Sequence, residues 1–588
     1  MFKNIHSVVS NHLFMMGILW RFSKSRYVFE FVKIIIESIQ PFPNIIFPAL
    51  IINQIVDQES ISKIMLNLIL LTMSNILIDA ALSYINSKQF YYEAQFNFHV
   101  ESIVVKKFMQ LDLVDIEQPQ LLDKYQMALN ADVAFFFEDI RSIIIHFLRL
   151  VGTISIILTL NFSIVILVLF TSIISGLIEK RALKYVNDKE QEKSNIERHY
   201  NYYSKVATEY AYAKEVRINQ LTTIIENLLS KNRNKYLNLL NDFEKHSTKS
   251  QTAIEILNIL QQGILYCLMI YYFVKKVISI GSFTAYLASI ETFKAAFSNM
   301  VSSLNIAYFK GQRITMLRDF LQQNNTMQPQ GMSVSETNDF LLEFRNVSFC
   351  YPNSTRYVLR NVSLKIQSGQ KFSLVGVNGA GKSTFIKLLL RLYDPTEGQI
   401  LLDDVDITKL DLCEYRKKFS IIFQDFKIFS FTIKENIAFD KSTYDDNKIQ
   451  KTIEEVGLDK RIAQLKYGLQ TYVFKNYEND GIEFSGGELQ KIALARALVR
   501  SSNFLVFDEP TSAMDAIAES NFYKFIDDKL TGKTSIIVSH RISSTSCSDK
   551  IIVFDNGQII ESGTREELLK LNGKFKELYD MQAQYYVD

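Results

Sequence analysis

Between Ile143 and Ile178 only His146 and Arg149 carry ionisable side chains. As a single helix this run would be about 54 Å long, whereas the hydrocarbon core of a bilayer is about 30 Å thick. The run has to fold back on itself, and Asn161-Phe162-Ser163 supplies the turn. Two membrane spans joined by a very short outer loop are expected here. Ile64–Leu82 is a further span with one charge, Asp79, and Ala253–Val274 another, with Glu255 near its inner end. Phe29–Ile52 also reads as a span, although it holds Glu30, Lys33 and Glu37 followed by Pro41, Pro43 and Pro48. Prolines are tolerated in membrane helices where neighbours satisfy the carbonyls they free. Ser282–Ala307 holds Glu291 and Lys294, and qualifies if that face lines a cavity or lies outside the bilayer. The count is six.

Orientation follows from Lys and Arg. The start of the chain carries Lys3, Arg21, Lys24 and Arg26, and the connection after the fourth span is rich in both residues. The outer connections hold only Lys63, and Lys275 with Lys276. Six spans return the chain to the cytoplasm. No cleavable signal peptide is evident; the first segment reads as a cytoplasmic amphipathic lead-in with Trp20 at the interface. Two inner connections, 88–141 and 180–252, are too long for structureless loops. Their apolar residues recur at helical spacing with one proline, Pro119, so the membrane helices are expected to run on into the cytoplasm.

The second half reads as a separate α/β domain. The polar stretch 321–340 is the expected linker, dividing a transmembrane domain, 1–320, from a nucleotide-binding domain, 341–588. Cys267, Cys350, Cys413 and Cys547 are scattered, without metal-ligand spacing, which fits a reduced compartment. A net charge of +2 gives no argument for a nucleic-acid partner.

The strand-like QKFSLVG leads into Gly376-Val-Asn378-Gly379-Ala380-Gly381-Lys382-Ser383-Thr384 and then an apolar helix. This is a P-loop in its required context. Glycines let backbone N–H groups cradle phosphates at a helix start. Lys382 reaches the β/γ-phosphates and Ser383 ligates Mg²⁺, so ATP and Mg²⁺ are the expected ligands. Asn503–Glu509 is an apolar strand ending in two carboxylates. Asp508 would support Mg²⁺ through its water shell, and Glu509 would polarise the attacking water. Phe484-Ser485-Gly486-Gly487-Glu488 starts a second anion-binding helix, far along the chain from the first. One molecule cannot easily bring both to one phosphate; two molecules head to tail can.

With these motifs in place the whole chain resembles an ATP-binding-cassette exporter half-transporter: an all-α polytopic domain of six helices, then one α/β P-loop ATPase. The resemblance implies that Tyr351 stacks on adenine and that Gln424, in IIFQDF, senses the γ-phosphate and its metal. It implies that Ser485, Gly486 and Gly487 close on the γ-phosphate of ATP held by a partner's P-loop. Asp515 would cross that interface and His540 would contact the γ-phosphate. Glu488 departs from the family, which usually has Gln there. Leu113–Pro119, Ala213–Arg217 and the segment 473–484 are similar to exporters of lantibiotic and related ribosomal peptides. The implied function is ATP-driven peptide export across the cytoplasmic membrane by alternating access, as a homodimer in contact with lipid. A heterodimer is the alternative assembly. Export of lipids or hydrophobic small molecules, and a regulatory membrane ATPase without transport, are the alternative functions. Relatives that trim their cargo carry an N-terminal cysteine-protease domain; no cysteine precedes Cys267, and none is expected here.

Overall fold

The computed structural model describes residues 2–583, apart from 130–135, 160–161, 326, 328–330, 336, 338, 353, 440–444, 476–477, 501 and 512–515. It divides into two compact units. One comprises residues 1–109 and 122–323; the other comprises 110–121 and 324–588.

The first unit is helical throughout: α1 (Phe2–Phe22), α2 (Lys24–Ile39), α3 (Pro41–Val56) and α4 (Ile61–Met109) precede the break in the unit. After α5 (Leu113–Ile116), which belongs to the second unit, come α6 (Pro119–Leu129), α7 (Phe136–Leu158), α8 (Phe162–Asp188), α9 (Glu190–Thr208), α10 (Tyr210–Ile218), α11 (Thr222–Val274) and α12 (Ile280–Leu321). The expected fold-back within 143–178 falls between Leu158 and Phe162, so Phe162 and Ser163 start α8 rather than form the turn; Asn161 lies outside the described residues. Among the described residues, four helical segments are long and apolar enough to cross a membrane: Lys24–Val56, Ile61–Met109, Glu138–Leu158 and Thr222–Val274. The two further expected spans lie on α8 and α12. On α8 the run Phe162–Ile178 is free of charge, and Glu179, Lys180 and Arg181 follow it; on α12, Glu291 and Lys294 interrupt the apolar run.

The prolines behave as the membrane constraint requires. Pro41 has no N–H, so the Glu37 carbonyl loses its donor four residues on. The helix breaks at Gln40, and the Arg149 guanidinium of α7 donates to that carbonyl from Nη2 at 2.6 Å and Nε at 3.1 Å. At the other end of α3, Asn53 accepts from the backbone N–H of Gly281 at 3.0 Å. A Cβ at Gly281 would collide with the Ala49 carbonyl, so glycine lets α12 start against α3.

The second unit carries two sheets. The antiparallel one has order β2-β1-β4-β5, from β1 (Leu341–Phe349), β2 (Leu359–Gln367), β4 (Glu397–Leu402) and β5 (Val405–Asp406). The other has order β10-β9-β3-β8-β7-β6, from β3 (Lys371–Val375), β6 (Phe419–Ile422), β7 (Phe504–Asp508), β8 (Thr534–Val538), β9 (Lys550–Asp555) and β10 (Gln558–Gly563). It is parallel except for β10. Strands β7 and β8 are buried along their whole length, which is why they read as unbroken apolar runs. The helices that follow in this unit include α13 (Lys382–Leu389), α14 (Leu412–Lys417), α15 (Ile433–Ile437), α16 (Asp446–Glu455), α17 (Asp459–Ala463), α18 (Gly486–Val499) and α19 (Ala516–Lys529). Helix α13 packs a core that includes Phe344, Phe372, Phe385 and Phe504, each at most 1% exposed, while α18 and α19 pack a second one with Ile492, Phe507 and Ile526.

The short helix α5 is part of this second unit. Leu113 and Val114 pack on its core. Glu117 accepts from the Tyr393 hydroxyl at 2.6 Å, and Asp112 accepts from the Met327 backbone N–H at 2.8 Å. Helix α5 is covalently continuous with α4 and α6. Replacing Leu113 and Val114 with Ser should leave basal ATP hydrolysis within about threefold while removing two half-buried apolar anchors, each worth a fraction of the about 1.5–3 kcal/mol of full burial. Vesicle uptake should fall to background. Uptake at the unmodified rate in that variant would contradict a coupling role for α5.

Candidate functional site

Four neighbouring parallel strands, β3, β8, β7 and β6, deliver their C-terminal ends to one edge of the sheet, where open α/β sheets bind ligands. β3 leads into the Gly376–Thr384 loop, β6 to Gln424, β7 to Asp508 and Glu509, and β8 to His540. The topology thus gathers residues that lie 164 positions apart, His540 lying against the Gly376 carbonyl at 3.3 Å.

The loop turns through left-handed backbone at Gly379 (φ 79°) and at Gly381 (φ 103°), the N-cap of α13. Any other residue at Gly381 would also press its Cβ against Leu359 Cδ2 at 2.6 Å. Lys382, buried, donates from Nζ to the carbonyls of Gly376 at 2.8 Å and Val377 at 3.0 Å, with His540 Nδ1 at 3.4 Å. Burial pushes the Lys382 ammonium below its usual range, against the opposing pull of Glu509 and Asp508. Ser383 lies beside Asp508 and favours its charged form.

Glu509 sits at φ 50°, a left-handed conformation that costs a non-glycine residue about 1–3 kcal/mol. Its N–H is tied to the Val538 carbonyl at 2.9 Å. One carboxylate oxygen accepts from Gln424 Nε2 at 2.7 Å, and the other pairs with His540 Nε2. Gln424, Glu509 and His540, expected from three separate motifs, thus form one contact chain that continues to Lys382.

Asp508 is the group the protein leaves in need. Its Oδ1 is buried without a hydrogen-bond partner. Burial, and then the neighbouring Glu509 charge, push its carboxyl up to about 6 against the pull of Ser383 and Lys382. An orphaned buried carboxylate oxygen next to a serine hydroxyl fits a divalent cation. Mg²⁺ is held by one or two such ligands together with substrate phosphates and waters, rather than by a full protein cage. Accordingly, no cluster of three or more His, Cys, Asp or Glu stands ready for a metal among the described residues.

Ser485 is the N-cap of α18, and Glu488 closes a capping box with it. The Ser485 hydroxyl accepts from the Glu488 N–H at 3.3 Å, and the Glu488 carboxylate accepts from the Ser485 N–H at 2.8 Å. The unusual acid in the signature thus has a structural role, since a carboxylate is favoured at a helix start. The Ser485 backbone N–H chiefly holds its carboxyl below the usual range, and Arg461 pairs with it at 3.1 Å. Gly486 and Gly487 are not imposed by packing, because a side chain at either would meet nothing of this chain within 4 Å. Tyr351 is half-buried against the core, its hydroxyl 3.0 Å from Thr384 Oγ1 and its ring 5.3 Å from Lys387 Nζ. Asp515 lies outside the described residues.

Sequence reasoning missed Arg461, Lys387 and Gln582, which donates to the His540 carbonyl at 2.5 Å. None lies in a recognisable motif, so only the folded arrangement brings them in.

A strand-to-phosphate-loop sheet edge with a paired acid, a glutamine and a histidine defines an ATPase domain. Residues 359–512 match the ABC transporter family. The subtilin transport ATP-binding protein SpaT of Bacillus subtilis is 29% identical over 489 residues, 81% of this chain and 78% of that protein. The nisin transport ATP-binding protein NisT of Lactococcus lactis subsp. lactis is 25% identical over 84% of this chain and 83% of its own length. The ATP-dependent lipid A-core flippase of Coxiella burnetii is 33% identical over 52% of this chain and 54% of its own. A bacterial Atm1-family ABC exporter with ATP bound shares the fold, with a TM-score of 0.73 at 22% identity, over 95% of this chain and 98% of that one. Residues 359–512 are an ABC transporter domain, and the chain has the fold of an exporter half-transporter: helical membrane domain first, cytoplasmic nucleotide-binding domain second. Such domains bind ATP with Mg²⁺ and couple its hydrolysis to transport, and such half-transporters work as dimers.

The elevated Asp508 carboxyl gives a pH dependence with a definite sign. Below about pH 6 the acid is protonated and must release its proton before it can support Mg²⁺. Affinity for Mg²⁺ with a non-hydrolysable ATP analogue should therefore fall by about tenfold for each pH unit below 6 and level off above it. Calorimetric titration across pH 5–8 measures this; the Asp508→Asn protein should show weak affinity without that slope.

Proposed function

We propose that two copies of this chain form a homodimer that exports a peptide across the cytoplasmic membrane, with the membrane domain at 1–320, a linker at 321–340 and the ATPase domain at 341–588. The observation that carries the cargo reading is the extent of similarity to the subtilin and nisin transport proteins. It runs through about four fifths of each chain and so includes the membrane domain, where cargo is chosen. On α11, Tyr266 and Tyr271 are exposed, and Gln262 donates to the Tyr266 hydroxyl at 3.1 Å. Both side-chain types suit an extended peptide. Tyr272 instead packs against the hydrophobic core of the helical unit, and Gln261 is buried, so these two do not line an exposed grip.

In the ATPase, Lys382 and the loop N–H groups would hold the phosphates, Ser383 and Asp508 the metal, and Tyr351 the adenine. When bound, Mg²⁺ neutralises charge developing on the phosphoryl oxygens. Glu509, fixed from both sides by Gln424 and His540, would orient the attacking water, and His540 and Gln424 would meet the γ-phosphate. The helix start at Ser485, Gly486 and Gly487 would close on the partner's nucleotide, with Asp515 crossing the interface. Two identical sites would then fire in one cycle of alternating access. The flippase similarity favours lipid cargo as a second reading.

Glu509→Gln should retain ATP affinity and lose hydrolysis by about 10²–10³-fold, the usual scale for removing a positioned base. Turnover near the unmodified rate in purified protein would reassign this residue. For the cargo, reconstituted protein is titrated with a modified precursor peptide encoded near this gene and, separately, with lipids and hydrophobic drugs. Stimulation of ATP hydrolysis and vesicle uptake are expected with the peptide. Uptake confined to lipids or drugs would promote the flippase reading, and hydrolysis without any uptake would indicate a regulatory ATPase.

A further inference from the structure

The helical unit contains a cavity of about 490 Å³ that the ATPase does not use. Three helices turn polar faces toward it. On α2, Lys33 and Glu37 are one turn apart; on α4, Asn86, Gln89 and Glu93 follow the same spacing; on α7, Glu138, Arg141, His146 and Arg149 share a stripe. Ionisable side chains on membrane helices are costly, and they persist where they face a water-filled pathway or each other.

Most of these charges are matched within the wall. Arg141 pairs with Glu30 at 2.9 Å and lies 3.9 Å from Glu37. Lys33 lies 3.6 Å from Glu37 and donates to Gln89 at 2.6 Å. Arg149 differs. It donates to the Glu37 backbone carbonyl and lies 3.5 Å from the Gln40 side-chain oxygen, both neutral acceptors. No carboxylate among the described residues forms an ion pair with it. Its position is fixed by the carbonyl that Pro41 releases, so the guanidinium is held without a direct carboxylate contact, with the Glu37 carboxylate acting on it only at longer range. His146, one turn away on the same stripe, has a buried Nδ1 with no hydrogen-bond partner. A guanidinium without an ion-pair partner beside an imidazole with an unpartnered Nδ1, on the wall of a cavity large enough for several side chains, suits an anion.

We propose that this cavity is a cargo subsite that takes a carboxylate of the transported peptide against Arg149 and His146. The proposal rests on the peptide reading above and names the chemistry that reading requires of the cargo. The other acids of the wall, Glu93 on α4 and Glu138 on α7, repel segments dense in negative charge.

The full chain in nanodiscs is titrated with three synthetic peptides equal in length and apolar content. One carries isolated Glu residues, one is neutral and one carries Lys. The readout is the concentration giving half-maximal stimulation of ATP hydrolysis. The Glu-bearing peptide should half-saturate at about one tenth the concentration of the neutral one, the scale of one charge-assisted contact. Arg149→Gln should bring the two within about twofold. Arg149→Lys, which keeps the charge, should retain most of the preference. Asn86→Asp adds a competing carboxylate to the wall without touching the Pro41 break, and should also erase the preference, so the test survives a poorly folding Arg149→Gln. Equal half-saturation in the unmodified protein, or a preference unchanged in both Arg149→Gln and Asn86→Asp, overturns the subsite and leaves peptide export standing. Silence with every peptide overturns both. In that case, Arg149-dependent stimulation by phosphatidylglycerol would assign the site to a lipid phosphate.

Discussion

Hydrocarbon offers a backbone carbonyl no substitute for its intrahelical donor. The N-terminal half of this chain is organised around that constraint, and Pro41 is where it is felt most sharply. By withdrawing one N–H, the proline breaks α2 from α3 and leaves the Glu37 carbonyl to be satisfied from another helix. Arg149 answers from α7. A single missing hydrogen bond thereby ties α7 to the end of α2 and sets a cation at a defined place in the bundle. The charged residues that made this segment look doubtful as a span form the wall of a cavity.

The nucleotide site was largely legible in the sequence because its chemistry is local. Gly379 and Gly381 are needed for backbone the loop cannot otherwise adopt, Lys382 and Ser383 follow at once, and Asp508 and Glu509 end an apolar strand. Each pattern states its function within a few residues. That Gln424, Glu509 and His540 touch one another was not legible, since it depends on the order β3-β8-β7-β6, and strand order is not written in any one segment. Arg461 was hidden for the same reason: it meets Glu488 only because α17 (Asp459–Ala463) packs near the start of α18.

In the helical half, hydropathy indicated that helices cross the membrane, and little about what faces what. Lys33, Glu93 and Arg141 lie on three helices whose polar stripes are separately ordinary. Their convergence follows from packing that apolar side chains, much alike in size, do not specify in a readable way. The aromatic residues of α11 show the converse: Tyr271 and Tyr272 are adjacent in sequence, yet one is exposed and the other packed against the core, as helical geometry dictates.

The two anion-handling positions in the chain solve the same electrostatic problem in the same way. Lys382 is tethered by the carbonyls of Gly376 and Val377, and Arg149 by the carbonyl of Glu37. A carbonyl orients a cation without neutralising it. A carboxylate in either place would satisfy the cation so well that an incoming anion would have to displace it, and much of the attraction would be lost in the exchange. Arg141, paired with Glu30, illustrates the alternative: it is held, and its charge is cancelled. The phosphate loop obtains its free carbonyls from glycine-directed backbone turns, and the membrane domain obtains one from a proline. In both cases a break in regular hydrogen bonding is what leaves a fixed positive charge available to a ligand.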